Sequence, residues 1–280
     1  MVLESLLNPL TLKRRPWEMF LAGFFYSIIS LFLSYMVFRE IAGVLTVFLI
    51  VISVIPLLFT AVIQEENLDL EYTSEWKILK EHSKVIFFMV FLFLGVTFAL
   101  VLTYILLPQP IVDSFFGMQK SAITNVNNYL QGNTTRLDIF VRIFTNNLKV
   151  LFFCLIFSLL YGMGAIFILV WNASVIAVAM GNLIKTELVK IASLVGWEVL
   201  SSYFNVATFS FFRYMTHGFF EIIAYFVMGL AGSIISIAII KRNLDNDSVL
   251  TDILDLMLIS LGFLIVAALI EVYITPALFA

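Results

Sequence analysis

The chain has 280 residues, of which 62% are hydrophobic and only 12% are charged. Its mean hydropathy of +1.06 exceeds what the interior of a water-soluble fold of this length can bury. The net charge of −3, the lack of a basic block and the single Cys154 exclude nucleic-acid binding, disulfide frameworks and thiolate metal clusters. The composition therefore predicts an all-α integral membrane protein whose first partner is the lipid bilayer.

Six apolar segments are long enough to cross the bilayer as helices. About 20 apolar residues of helix span a hydrocarbon core of ~30 Å. Long unbroken segments favour a helix bundle, because a membrane barrel shows short alternating segments instead. The six predicted spans are 19–38, 41–63, 85–107, 150–171, 214–240 and 253–275.

Basic residues predict the orientation and a seventh crossing. Residues 13–15 and the pair Lys241-Arg242 are basic, so the positive-inside rule places both groups in the cytoplasm. That placement requires one more crossing than the six spans provide. We predict that the fourth helix is interrupted near Asn172 and reaches the cytoplasm at Lys185, and that 191–212 crosses outward. The amino terminus is then cytoplasmic and the carboxyl terminus outside; a re-entrant pair of half-helices in 173–212 is the alternative.

Two connecting loops have the period of amphipathic helices. In loop 108–147 apolar residues recur at a spacing of three to four, and in loop 64–84 they alternate with charged residues around Trp76. Amphipathic helices of this kind lie in the membrane interface. We predict interfacial helices in both loops, and no soluble domain in the single membrane domain 1–280.

A few polar residues fall inside the predicted spans at one membrane level. Ionisable groups at that depth are costly, so they normally have a partner or line a cavity. A His-x-x-x-Glu pair with a further carboxylate could bind a metal or a proton. We interpret the set instead as a buried hydrogen-bond network between helices, with no catalytic, cofactor or metal site. Its predicted members are Asn146, Asn147, Asn172, His217, Glu221 and Glu271.

Small residues are concentrated in the fourth and sixth spans. Glycine lets helix backbones approach closely in membranes, so these positions predict helix packing and not a substrate path. The predicted packing glycines are Gly162, Gly164, Gly218, Gly229 and Gly232.

These residues together resemble the stage II sporulation protein M family. The family pattern has paired asparagines before a glycine-bearing helix, an asparagine after it, and His-Gly-x-x-Glu opening a helix of small residues. The resemblance covers 85–280, whereas 1–84 is a two-span amino-terminal extension. Ala173 departs from the pattern, because the family usually has glycine there. The matching positions are Asn146, Asn147, Gly162, Gly164, Asn172, His217, Gly218 and Glu221.

The resemblance implies a polytopic, non-enzymatic membrane component. In endospore formers the family member scaffolds a complex with cell-wall hydrolases, so we expect other membrane or envelope proteins, or a second copy of the chain, as partners. Two other functions remain as alternatives. One is a transporter or channel for a small or lipidic substrate at the broken helix near Asn172. The other is an intramembrane metalloenzyme built on His217, Glu221 and Glu271.

Overall fold

The computed structural model describes residues 16–69, 75–130, 135–161, 165–190, 197–242 and 247–279. Within these ranges the chain is helical and contains no strand. A 3₁₀ turn (Arg39–Ile41) joins the first two helices, and a π-helical turn (Ile270–Ile274) joins the last two. The helices are α1 (Pro16–Val37), α2 (Ala42–Asp69), α3 (Glu75–Leu106), α4 (Gln109–Leu130), α5 (Arg136–Tyr161), α6 (Ala165–Lys190), α7 (Trp197–Lys241), α8 (Asp247–Leu269) and α9 (Thr275–Leu278).

Seven helical segments of the described chain are long and apolar enough to cross a membrane. Six of them are α1, α2, α3, α5, α6 and α7, and the seventh is α8 together with its π-helical turn and α9. The prediction of an all-α membrane bundle with about seven crossings is therefore confirmed. The chain is a multi-pass membrane protein.

Helix α1 packs against α3 with almost no space between the two backbones. A Cβ atom on Gly23 would lie 2.5 Å from a backbone carbonyl oxygen of α3, and one on Gly95 would collide with the carbonyl oxygen of Phe20. Each glycine therefore permits the close approach that small residues give to membrane helices. A hydrogen bond of 2.6 Å between the hydroxyl groups of Ser34 and Thr46 joins α1 to α2.

Helix α4 is amphipathic and packs against α2, α3 and α6. It buries Val112 and Phe115, and its Gln119 Nε2 donates a hydrogen bond of 3.0 Å to Ser174 Oγ on α6. A Cβ atom on Gly43 would collide with the backbone of Phe115, so α2 also contacts α4 directly. This helix agrees with the one predicted for the first half of loop 108–147.

The other predicted interfacial helices are parts of longer helices. Helix α5 begins at Arg136 and continues into its span, so the second half of loop 108–147 forms no separate helix. Likewise, α2 continues to Asp69 and α3 begins at Glu75, which divides most of loop 64–84 between two spans. An amphipathic segment and an adjoining apolar segment share the helical period, so the sequence pattern marks no boundary between them.

The break predicted near Asn172 is wrong. Helix α6 is continuous through this residue, and the predicted span 150–171 is divided between α5 and α6. The connection is at residues 162–164, which lie outside the described ranges. Asn172 leaves the helix intact because its Nδ2 donates a hydrogen bond of 2.8 Å to the carbonyl oxygen of Ile168, one turn earlier.

The crossings predicted at 191–212 and 214–240 are not separate. Residues 197–241 form the single helix α7 of 45 residues. At 1.5 Å per residue it is about 67 Å long, roughly twice the thickness of the hydrocarbon core. The ring of Phe209 lies 5.5 Å from that of Phe279, so the residues of α7 before Phe209 extend past the end of α9.

Lys185 lies at the opposite end of the bundle from the predicted one. Its Nζ donates a hydrogen bond of 3.2 Å to the carbonyl oxygen of Leu107, which follows the last turn of α3. The lysines of loop 64–84 lie in the first turns of α3, at the other end of that helix. The prediction that Lys185 shares their side is wrong because it depended on the break at Asn172. The cytoplasmic amino terminus and the outer carboxyl terminus stay predictions.

Candidate functional site

A hydrogen bond between polar side chains joins α5 to α7. The amide Nδ2 of Asn147 on α5 donates to the carboxyl Oε1 of Glu221 on α7. Further along both helices, Ser158 of α5 packs against Gly232 of α7. On both helices the second contact follows the first in chain order, so α5 and α7 run parallel. Helix α6, which lies between them in the sequence, runs in the opposite direction. The Asn147–Glu221 bond therefore connects two helices that are not consecutive in the chain.

The carboxyl group of Glu271 approaches this bond from the π-helical turn after α8. Glu271 is half-buried and lies close enough to Glu221 for their charges to interact. Tyr225 is 3% exposed, one turn beyond Glu221, and lies near both carboxyl groups. Turns of π-helix are rare and occur frequently at functional sites. Glu271 thus brings the end of α8 to the contact between α5 and α7.

His217 makes a second polar contact one turn before Glu221. Its Nδ1 lies 3.3 Å from Thr275 Oγ1, and the tautomer of the ring decides which atom donates the hydrogen. Thr275 is the first residue of α9 and is buried, and the histidine ring is half-buried. This contact joins α7 to the end of the chain beside Glu271.

We call Asn147, His217, Glu221, Glu271 and Thr275 the polar cluster. An ionised side chain at the centre of a membrane helix costs about 2.5–3.5 kcal/mol, and two adjacent carboxylates repel each other. The Asn147 amide provides a donor to one carboxyl group and offsets part of that cost. The polar cluster can therefore join α5, α7 and the residues that follow α8 through contacts between polar side chains.

Two of the six predicted network residues lie elsewhere. Asn146 is exposed, and Asn172 bonds within its own helix. Adjacent residues of a helix point about 100° apart, so only one of Asn146 and Asn147 can face α7. The sequence contained no signal that distinguished the two asparagines.

The structure places no metal-ligand set in the described part of the chain. No three His, Cys, Asp or Glu side chains there are positioned to hold one ion. His217 bonds to Thr275, and Glu221 accepts from Asn147. The metal interpretation of the His-x-x-x-Glu pattern thus finds no ligand set among these residues.

The predicted packing glycines behave differently from one another. A Cβ atom on Gly229 would lie 2.9 Å from a side chain of α6, and one on Gly232 would lie 2.8 Å from a side chain of α5. A Cβ atom on Gly218 would meet nothing within 4 Å, so close packing does not require glycine there. Gly162 and Gly164 lie outside the described residues.

Ser158 supports the connection between α5 and α6. Its Oγ accepts a hydrogen bond of 3.3 Å from the backbone nitrogen of Ala165, which satisfies one of the free amides at the start of α6. Beside it lies a cavity of about 10 Å³, whose lining includes Met89, Phe226 and Ser233. A cavity of this size holds about one water molecule. The helices around the connection are thus closely packed.

Sequence reasoning missed the glycines at which α1 and α6 contact α3. Gly23 and Gly95 are isolated in apolar helices, where no periodic pattern distinguishes a packing glycine from a tolerated one. Gly181 had a signal, since it follows the glycine-bearing region of the family pattern. A Cβ atom on Gly181 would lie 2.5 Å from the ring of Tyr104.

Known proteins are similar to most of the chain. The family model described as stage II sporulation protein M matches residues 84–276, which is more than half of the sequence. A protein of Methanocaldococcus jannaschii, described as uncharacterised, is 32% identical over 145 residues. That match covers 49% of this chain and 71% of the archaeal protein. No solved structure matches the chain.

Proposed function

Because this chain belongs to the stage II sporulation protein M family, we propose that it acts as a non-enzymatic membrane scaffold. In this proposal the polar cluster fixes α5, α7 and α8, and a segment at the end of the bundle holds other membrane or envelope proteins. The observation that carries the proposal is the hydrogen bond between Asn147 and Glu221 across two non-consecutive helices.

The polar cluster has the contacts of a structural element. A catalytic acid or base must reach a proton on its substrate. Here the side chains of Asn147 and Glu221 engage each other, and His217 engages Thr275. Hydrogen bonds between membrane helices contribute about 0.6 kcal/mol on average and up to about 1.7 kcal/mol. Several such contacts at one level hold three helices in a fixed arrangement, which is what a scaffold requires.

Transport is the competing class, and its sequence argument was a broken helix near Asn172. Helix α6 is continuous at this residue, and the adjacent Ala173 and Ala177 are fully buried against neighbouring helices. A discontinuous helix is the device by which many transporters bind their substrate. No observation on α6 now favours a substrate site, so we do not propose transport.

The part of α7 that precedes His217 offers a surface for partners. Tyr203, Phe204 and Phe212 lie on this segment and are 46%, 71% and 56% exposed. Aromatic side chains are enriched at protein interfaces, and contiguous exposed apolar surface marks interaction sites. We propose that this segment, 201–212, contacts another membrane or envelope protein or a second copy of the chain.

Site-specific crosslinking in native membranes tests the scaffold proposal. A photo-crosslinking amino acid replaces Phe204, and the matched control replaces Phe32 on α1, which is 63% exposed. The proposal expects discrete protein adducts at position 204, identified by mass spectrometry, and lipid adducts at position 32. The absence of a discrete protein adduct at position 204, or the same adducts at both positions, would contradict it.

A further inference from the structure

Two lysine side chains converge on one aromatic ring where α3, α4 and α6 meet. The Nζ of Lys120 on α4 lies 5.3 Å from the centroid of the Tyr104 ring, and the Nζ of Lys185 on α6 lies 5.2 Å from it. Cations at this range are attracted by the electrons of the ring. The two ammonium groups are close enough to repel each other. The fold therefore concentrates positive charge at one place in spite of that repulsion.

The ring that both lysines approach is fixed on several sides. Tyr104 is 2% exposed, and its ring centroid lies 5.4 Å from that of Phe116 on α4. On the α6 side, Gly181 leaves the ring only enough room to fit, since a Cβ atom there would lie 2.5 Å from it. The position of the ring is set by three helices, so it offers both ammonium groups a fixed point of attraction.

Both ammonium groups retain unused hydrogen-bond donors. Each carries three N–H groups. Lys120 donates to the Asp113 carboxylate at 2.5 Å, and Lys185 donates to the carbonyl oxygen of Leu107 at 3.2 Å. Within the described residues Lys185 forms no ion pair. With one carboxylate for two lysines, the site carries a net positive charge.

We propose that Lys120 and Lys185 bind the phosphate group of an anionic phospholipid beside Tyr104. The oxygens of a phosphate diester can accept from both ammonium groups, and lysine binds phosphate as a point charge. The site includes Tyr104 in the last turn of the spanning helix α3 and the carbonyl oxygen of Leu107 just after it, the level at which headgroups meet membrane helices.

This site is independent of the scaffold proposal, because it shares no residue with the polar cluster or with segment 201–212. Inorganic phosphate has the same binding chemistry as the headgroup. The position of the site at the end of a membrane-spanning helix favours the lipid as the source, and variants of Lys185 separate the two.

Lipid retention tests the proposal. The full-length protein is reconstituted into vesicles of phosphatidylcholine mixed with phosphatidylglycerol, and the retained lipid is counted by native mass spectrometry. Lys185→Gln is expected to retain phosphatidylglycerol about fivefold less well than the wild type, since one lysine near anionic lipid contributes about that factor. The matched control, Lys149→Gln on the exposed side of α5, is expected to retain it like the wild type.

Two further variants guard against a folding defect. Lys185→Arg keeps the charge and is expected to retain the lipid. Gly181→Ala keeps both charges but displaces the Tyr104 ring, so it is expected to weaken retention while circular dichroism stays that of a helical protein. Loss of retention in Lys185→Arg to the level of Lys185→Gln would overturn the charge-based site.

Inorganic phosphate distinguishes the two sources of the anion. In vesicles of phosphatidylcholine alone, added phosphate is expected to leave the thermal midpoint of the wild type unchanged. A midpoint raised by phosphate in the wild type but not in Lys185→Gln, without selective retention of phosphatidylglycerol, would overturn the lipid as the ligand. Equal retention of phosphatidylglycerol by the wild type, Lys185→Gln and Lys149→Gln would overturn the site itself.

Discussion

The contact of α1 with α3 and the contact of α5 with α7 join membrane helices by different means. In the first, Gly23 and Gly95 bring the two backbones together, and polar groups such as the Ser27 hydroxyl bond within their own helix. In the second, Asn147 and Glu221 bond across the interface. Helix α1 lies outside the family match, whereas α5, α7 and α8 lie within it. The contact of α1 with α3 therefore depends on the close fit of the two backbones. The contact of α5 with α7 also has a hydrogen bond between side chains.

This difference has a consequence for substitutions. A contact made by shape tolerates no added atom, because a close-packed protein interior leaves no empty space for the backbone to shift into. A contact made by hydrogen bonds tolerates changes that preserve donors and acceptors. Substitutions in both regions test whether the two contacts differ in this way.

Gly95→Ala is expected to give the largest loss of stability. Its Cβ atom would collide with the carbonyl oxygen of Phe20, and overpacking of this kind costs about 3 kcal/mol at the upper end of its range. Reversible unfolding in detergent measures the loss. The matched control is Gly262→Ala on α8, whose Cβ atom meets open space. It is expected to leave stability unchanged or raise it by about 0.5–1 kcal/mol. Equal effects of the two changes would refute the shape-based contact.

Glu221→Ala is expected to lower the free energy of unfolding by about 2 kcal/mol, because it leaves the amide of Asn147 without its acceptor. Glu221→Gln keeps a carbonyl oxygen for that amide and removes the repulsion from Glu271, so its stability should be near that of the wild type. Glu40→Ala, an exposed position, serves as the control and should change stability by less than about 0.5 kcal/mol. A Gln variant as unstable as the Ala variant would argue against a hydrogen-bonded contact.

Gly232→Ala tests how far shape also matters in the family region. Its Cβ atom would lie 2.8 Å from the Cβ atom of Ser158 and 2.9 Å from the backbone carbonyl oxygen of Leu155. A Cβ atom on Gly95 would lie closer still to the carbonyl oxygen of Phe20. We expect a loss of about 1 kcal/mol in the same unfolding assay, less than for Gly95→Ala. Gly218→Ala has open space around its Cβ atom and should cost nothing. A loss at Gly218 equal to that at Gly232 would show that helix contacts differ from those described.

Asp113→Asn is expected to give the smallest effect. The hydrogen bond from Lys120 lowers the pKa of Asp113 below its usual 3.8. The folded protein therefore binds this proton less readily than the unfolded chain. The ion pair therefore contributes stability at a pH above the ordinary pKa of the carboxyl group. This contribution is lost as the pH falls through the lowered pKa. Because Asp113 is exposed, the contribution at neutral pH is about 0.2–1 kcal/mol.

Unfolding of the wild type and of Asp113→Asn at neutral pH and in acid measures this contribution. The difference between the two proteins should be largest at neutral pH and should vanish in strong acid. A difference that grows on acidification would contradict the assigned direction of the pKa.

The helical class and the number of crossings were predictable because each depends on composition over a long window. A run of about 20 apolar residues in a bilayer can form few structures other than a spanning helix. The contact of Asn147 with Glu221 also agrees with the expectation that polar groups at one depth find each other. In these respects the bilayer constrains the chain more strongly than water constrains a soluble one.

The position of the break was not predictable in the same way. Residues 162–164 are flanked by apolar residues, so hydropathy stays high across the connection of α5 and α6. Asn172 was a conspicuous polar residue, yet its amide bonds to the carbonyl oxygen of Ile168 and leaves the helix continuous. Likewise, Arg213 and His217 interrupt an apolar run without interrupting α7. Polarity along the sequence shows where a helix needs a partner, and it does not show where the helix ends.

A double-mutant cycle between Asn147 and Glu221 measures whether this pair joins α5 to α7. Unfolding free energies of Asn147→Ala, Glu221→Ala and the double variant isolate the coupling between the two side chains. We expect a coupling of about 0.6–1.7 kcal/mol, the range of hydrogen bonds between membrane helices, and a double variant less destabilised than the sum of the single ones. Additive losses with no coupling would contradict the claim that this pair holds α5 and α7 together.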